Sequence, residues 1–253
     1  LNDYSLLEGG FVNIKEVKSA IRKMVWDRLE RERASLPPKP IYGRIPNFKG
    51  ADVAAQRLRE LREYIEASSI KVSPDSPQYW VRYFALLDGK TVIMPTPRLR
   101  GGFVVLDPSK IPRRLFDRAA TIRGAFEYGR LIPINELKHV DLIVTGSVAV
   151  TLEGRRLGKG GGYSEYEYGI LKELRAVNEN TPIVTTVHDL QIVQEIPLER
   201  HDYTLDYILT PTQVIKASGE KIRPQGIIWE LISEDDLAEM PILRELLRLK
   251  QKT

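Results

Sequence analysis

Between Arg155 and Tyr168 the chain reads Arg-Arg-Leu-Gly-Lys-Gly-Gly-Gly-Tyr-Ser-Glu-Tyr-Glu-Tyr. Gly158, Gly160, Gly161 and Gly162 fall within five positions, Lys159 stands between them, and Arg155 and Arg156 come just before. A backbone without Cβ atoms brings its N–H groups close to an anion. The next stretch, residues 163 to about 177, has a helical pattern, so its positive N-terminal end points at the same place. Amides and cations together describe a phosphate site. Neither common phosphate loop fits: Gly154 and Gly158 are one residue too close and no Ser or Thr follows Lys159. Tyr163 stands where the dinucleotide fingerprint needs glycine. The alternative for such a composition is a flexible surface loop with solvated cations.

A phosphate site needs elements that hold it. Residues 13–33 read as an amphipathic helix, with Ile14, Val17, Ile21, Met24 or Val25, and Leu29 on one side and Lys18 and Arg22, four apart, sharing a face. Pro37, Pro38 and Pro40 exclude further helix there. A second helix is expected over 51–67, burying Val53, Ala54, Leu58, Leu61 and Ile65. Short apolar strands then alternate with helices: strands at 69–72, 91–94, 103–106, 140–144, 183–187 and 207–209, and helices at 78–87 and 111–128. Residues 148–152 form a strand or a turn, and Ser233 with Asp236 approximates a capping box for a C-terminal helical stretch interrupted near Pro241. This alternation specifies an α/β fold with a mostly parallel sheet and helices on both faces. Ligands of such sheets bind beyond the carboxyl ends of the strands. Residues 95–103, 145–163, 188–191 and 210–212 each follow a strand and are expected at that one edge.

The groups gathered there suit phosphoryl chemistry. Lys159, Arg156, Arg98 and Arg100 can neutralise phosphate charge, with Lys159 and Arg156 the candidates for acting on the reacting group. Glu165, Glu167 and Asp189 offer carboxylate oxygens to Mg²⁺. Trp80, Phe103, Tyr163 and Tyr166 can stack on a planar ligand or fill the core. His188 and His201 each precede an aspartate, which suits local hydrogen bonding or proton transfer. No order of Ser, His and Asp points to covalent catalysis.

Composition narrows the classes. The 253 residues are 42% hydrophobic and 28% charged, as in a globular protein, and lack a membrane-spanning apolar run. Leu1 to Gly10 shows no signal-peptide core, and the absence of cysteine excludes disulfides and thiolate metal sites, so the cytoplasm is the expected location. Three histidines argue against zinc. A net charge of +4 suits anionic partners, nucleotide or RNA.

The segment from Arg156 to Tyr163 resembles the signature of the 5-formyltetrahydrofolate cyclo-ligase (methenyltetrahydrofolate synthetase) family, Arg-x-Gly-x-Gly-x-Gly-Tyr-Tyr-Asp. The family's Lys-x-x-x-Arg on the first helix is matched by Lys18 and Arg22, its Asp-x-Gln by Asp189 and Gln191, and its Glu-Ile-Pro and His-Asp by residues 195–197 and 201–202. Residues 44–50, 95–100, 146–150 and 206–212 look like the subfamily of methenyltetrahydrofolate synthetase domain-containing proteins. The resemblance implies one cyclo-ligase-like domain over 1–253, with a helical N-terminal segment to about residue 67. It also implies the three-layer α/β sandwich shared with sugar-phosphate isomerases and CoA transferases. The activity it implies is an ATP- and Mg²⁺-dependent ligase closing 5-formyltetrahydrofolate, or a related formyl-pterin, to its methenyl form. Lys18, Arg22, Arg156, Leu157, Gly158, Lys159, Gly160, Gly161, Gly162 and Tyr163 would bind ATP. Arg98, Arg100, Phe103 and Tyr163 would face the substrate, and Glu165 and Asp189 the metal. The family's second Tyr and its Asp are Ser164 and Glu165 here, so nucleotide binding carries over better than substrate identity. The alternative is a nucleotide- or RNA-binding protein on the same fold that has lost catalysis.

Overall fold

A computed structural model of the chain describes residues 13–250; residues 1–12, where the helical N-terminal segment was expected to begin, and 251–253 lie outside the described residues. Helix α1 (Ile14–Arg31) starts at Asn13, whose side chain accepts from the Lys15 N–H, and it buries Ile21, Val25, Trp26 and Leu29. Strands β1 (Ser35–Leu36) and β2 (Asn47–Phe48) form a small antiparallel pair. The expected helix over 51–67 is two helices, α2 (Ala51–Leu58) and α3 (Arg62–Glu66), separated by a turn that leaves Leu61 extended. That turn breaks the 3.6-residue period, so Ile65 faces solvent and Tyr64 is buried instead, while Val53 is exposed because α2 buries Ala51, Ala54, Ala55 and Leu58 on its other face.

Strand β3 (Ser69–Val72), helix α4 (Tyr79–Leu87) and strands β4 (Thr91–Pro95) and β5 (Phe103–Leu106) follow. The helix expected over 111–128 is α5 (Phe116–Ala119) and α6 (Ile122–Tyr128), because Thr121 caps a new helix with its side chain. Next come β6 (Arg130–Ile132), β7 (Leu142–Thr145), the small antiparallel pair β8 (Ala149–Val150) and β9 (Arg156–Leu157), and α7 (Tyr163–Glu173). Strands β10 (Ile183–Thr186), β11 (Tyr207–Leu209) and β12 (Val214–Lys216) complete the sheet. Helix α8 (Glu234–Glu239) begins with the capping box of Ser233 and Asp236, and α9 (Pro241–Lys250) follows.

Among the described residues the main sheet has eight strands in the order β12-β11-β10-β7-β3-β4-β5-β6. Its centre, from β11 to β4, is parallel, and antiparallel pairing begins at β12 and at β5. Alternate residues of each strand enter different cores. Ile70, Val72, Val92, Met94 and Val144 pack with α2 to α6, whereas Ile93, Ile143 and Ile183 pack with α7 and α9. The result is a three-layer α/β sandwich. Helix α1 lies outside these layers and packs on Ala149, Leu157 and Ile196. No helix among the described residues is long and apolar enough to cross a membrane.

Candidate functional site

The chain leaves β3 for β4 on one side and returns to β7 on the other, so strand order reverses between β3 and β7. Loops leaving two parallel strands there diverge and open a crevice. A cavity of about 860 Å³ lies at this point. Ser73, Pro74 and Asp75 line it from β3, Thr96 from β4 and Gly146 from β7. The loop from Gly158 to Gly162, Lys18 and Arg22 of α1, and Glu199, His201 and Asp202 complete the wall.

The glycine loop is held from below by α1. Arg22 Nε donates to the Gly158 carbonyl at 2.7 Å. Gly160 has φ +107°, where side chains are strained, and its missing Cβ would sit 3.5 Å from the Arg22 guanidinium carbon. Gly162, at φ +68°, begins α7 with no side chain capping the first turn. Its carbonyl takes the Glu165 and Tyr166 N–H groups, so the amides ahead of them remain for a ligand.

Four cations surround that loop. Arg156 is buried on β9, donates to the Gly146 carbonyl (3.2 Å) and Ser164 Oγ (2.8 Å), pairs with Glu165, and lies over the Tyr203 ring. Lys18 is buried between Glu199 (2.8 Å) and Asp202 (2.6 Å). Lys159 is half-exposed, 3.3 Å from Asp75 Oδ1. Burial, and then the charge of Arg156, lowers the pKa of Arg22 below its ordinary value. An anion beside it would relieve both effects.

The family model of the 5-formyltetrahydrofolate cyclo-ligase family matches residues 14–211. The chain belongs to this family. It is 44% identical over 233 residues to the methenyltetrahydrofolate synthase domain-containing protein of Bos taurus, covering 90% of this chain and 61% of that protein. The Homo sapiens protein of the same name is 40% identical over 240 residues, covering 93% of this chain and 62% of that protein. The chain thus spans less than two thirds of these relatives. The solution structure of Aquifex aeolicus 5,10-methenyltetrahydrofolate synthetase shares the fold, with TM-score 0.51 and 18% identity over 81% of this chain and 95% of that one.

In this cyclo-ligase family member the cavity gathers Lys18, Arg22, Arg156, Leu157, Gly158, Lys159, Gly160, Gly161, Gly162, Tyr163, Glu165 and Arg98. Tyr163 and Arg98 both bond Glu239 of α8, which ties the outer rim to the C-terminal helices. Three other candidates lie elsewhere. Arg100 is exposed and does not line the cavity. Phe103 is fully buried on β5, paired with Pro95 and Ile132, and packs in the core under α9, where no substrate can stack on it. Phe103→Ala is therefore expected to cost about 3–5 kcal/mol of stability, checked by urea unfolding; a ligand-specific loss with unchanged stability would contradict the core assignment. Asp189 lies beyond β10, outside the cavity, and its carboxylate accepts from the Thr210 and Thr212 hydroxyls. His188 accepts from the Leu190 N–H through Nδ1, a local cap, and likewise does not line the cavity.

Sequence reasoning missed two parts of the wall. Ser73, Pro74 and Asp75 follow the strand expected at 69–72, and that position alone was a signal, since every other parallel strand end had drawn attention. Glu199 and Asp202 bind Lys18, although His201-Asp202 had served only as a family landmark. Glu199, His201 and Asp202 bring ligand atoms within 4.8 Å of one another, but the Lys18 ammonium already neutralises that cluster. Glu167, a candidate Mg²⁺ ligand in the sequence, lines the cavity but is paired with the buried Lys71.

Proposed function

We propose that this chain is a cytoplasmic cyclo-ligase, built as one domain, that uses ATP and Mg²⁺ to convert 5-formyltetrahydrofolate, or a related formyl-pterin, to the 5,10-methenyl form. The observation that carries the reading is the bare loop from Gly158 to Gly162, set at the strand-order reversal with Arg22, Lys159, Arg156 and Lys18 around it. Free amides at the start of α7 and cations of this number suit a triphosphate. In the proposed reaction the formyl oxygen attacks the γ-phosphorus and ADP leaves. N10 then attacks the activated carbon, and phosphate departs with the oxygen and the N10 proton as the ring closes.

The protein's task is positioning and charge neutralisation. Lys159 and Arg22 face the triphosphate, and Lys159 reaches the transferring group. Arg156 holds the loop and Glu165 in place while adding its own charge. Hard oxygen donors suit Mg²⁺, and Glu165, which lines the cavity, would hold it, in place of Asp189. The ion would neutralise charge on the phosphate oxygens. Tyr163 and Arg98 stand at the rim toward the substrate.

The deciding experiment follows methenyl absorbance from 5-formyltetrahydrofolate with and without ATP and Mg²⁺. Product that requires both is expected. ATP binding without product would favour a diverged nucleotide-binding protein, and affinity for RNA that falls steeply with salt would favour an RNA-binding one.

A further inference from the structure

Lys71 places a charge between Ile70 and Val72 of strand β3. Its neighbours Ile70 and Val72 belong to the core under α2 to α6, while Lys71 points to the α7 side. In the sheet it lies between Ile93 of β4 and Ile143 of β7, and it is 1% exposed. Its ammonium pairs with Glu167 of α7 and donates to Ser73 Oγ at 3.4 Å. Glu167 is itself only 6% exposed. Burying two charges here costs desolvation that apolar side chains of similar size would avoid.

The use of this pair lies on its far side. Glu167 and Ser73 line the cavity, and Lys71 stands behind them. A carboxylate has about four acceptor positions, and Lys71 takes one, so Glu167 retains acceptors toward the cavity. Ser73 Oγ accepts from both Lys71 and the Gly146 N–H, and among the described residues its hydrogen has no acceptor. One wall therefore presents carboxylate acceptors beside a hydroxyl donor, both fixed by a single ammonium. A phosphate would meet a negative charge here. A planar ring edge with two adjacent N–H donors followed by a carbonyl is complementary. A 2-amino-4-oxopyrimidine ring carries that sequence of groups, in a pterin or in guanine.

We propose that Glu167 and Ser73 read the amino-oxo edge of the pterin, with Lys71 as the positioning residue that fixes Glu167. The inference rests on the formyl-pterin reading above. It divides the cavity, with the pterin edge at the end of β3 and the triphosphate at the glycine loop.

The test is calorimetric titration of wild type, Glu167→Gln and the charge-free pair Lys71→Met/Glu167→Gln. The ligands are 5-formyltetrahydrofolate, its analogue lacking the 2-amino group, ATP and GTP. Wild type is expected to prefer the amino compound by about 10- to 100-fold, the range for a hydrogen bond to a charged group. Glu167→Gln turns a donor toward the ligand's donors and should abolish that preference, with ATP affinity unchanged. The double variant, which leaves no unpaired buried charge, should do the same with thermal stability retained. A preference that survives Glu167→Gln overturns the proposal, as does an equal fall for formyl-pterin and ATP, which marks a structural role. Loss confined to GTP overturns it in favour of guanine. Wild type that binds formyl-pterin without discriminating the analogue overturns this inference alone. Wild type that binds ATP and no formyl-pterin overturns the function above and this inference with it.

Discussion

Lys159→Ala should leave the protein folded, weaken ATP binding about tenfold, and lower ATP-dependent turnover by about 10²-fold or more. The side chain is 42% exposed and its one ion pair, with Asp75, spans 3.3 Å at the cavity mouth. Such a half-solvated pair contributes little to stability. Its value lies in where it can swing. Glycine flanks Lys159 on both sides, so its ammonium is the only side-chain charge on the loop between Arg156 and Glu165. Charge shifts onto the transferring group and the leaving oxygens during reaction, so the ammonium should matter more there than in ground-state binding. Lys159→Arg should recover only part of the loss, because a planar guanidinium is not a compact ammonium. Calorimetry with ATP beside turnover in the methenyl assay measures both effects. Unchanged affinity and unchanged turnover in Lys159→Ala would remove the phosphate-loop assignment.

Lys18→Met should act on the fold first. The Lys18 side chain is 6% exposed, and the Asp202 and Glu199 side chains that it neutralises are 8% and 29% exposed. Removing the ammonium leaves two facing carboxylates with no cation between them. Breaking a buried pair from one side costs about 3–5 kcal/mol. Lys23→Met on the same helix is the control: that lysine is 72% exposed and pairs with Asp27 one turn along, so its loss should leave stability almost unchanged. Urea unfolding of both variants measures the difference. A loss below about 1 kcal/mol for Lys18→Met would mean that water already screens the cluster.

Strand β3 spans 69–72 and strand β11 spans 207–209, as the apolar runs imply, because short β-branched segments between polar turns have few alternatives. The meeting of Arg22 with the glycine loop was legible only through the family resemblance; periodicity places Arg22 on a helix face but does not say what that face meets. Period-two alternation sorts strand residues into two faces without revealing which positions open on a cavity. Phe103 therefore looked like a stacking platform and is core, whereas Lys71 sat unremarked inside β3 and supports the site. Asp189 follows a parallel strand as the site residues do, but β10 lies one strand beyond the β3/β7 reversal, and its loop opens elsewhere. Proximity to a strand end is shared by all parallel strands; the crevice belongs to one pair.

The ion pair between α1 and residue 202 joins groups 184 positions apart. On a ribosome α1 emerges before the main sheet, with Ile21, Val25 and Leu29 along one side. Its partners at Ala149, Leu157 and Ile196 come more than a hundred residues later. At about 5–20 residues per second, α1 waits roughly ten to forty seconds before Asp202 is synthesised. Over that interval it is an amphipathic helix of 18 residues without its host, long enough to form transiently yet marginal alone. The cavity is thus closed by a helix made before the sheet it packs on, and a chaperone that shields that apolar stripe should raise the yield of native protein more than one acting on the later sheet.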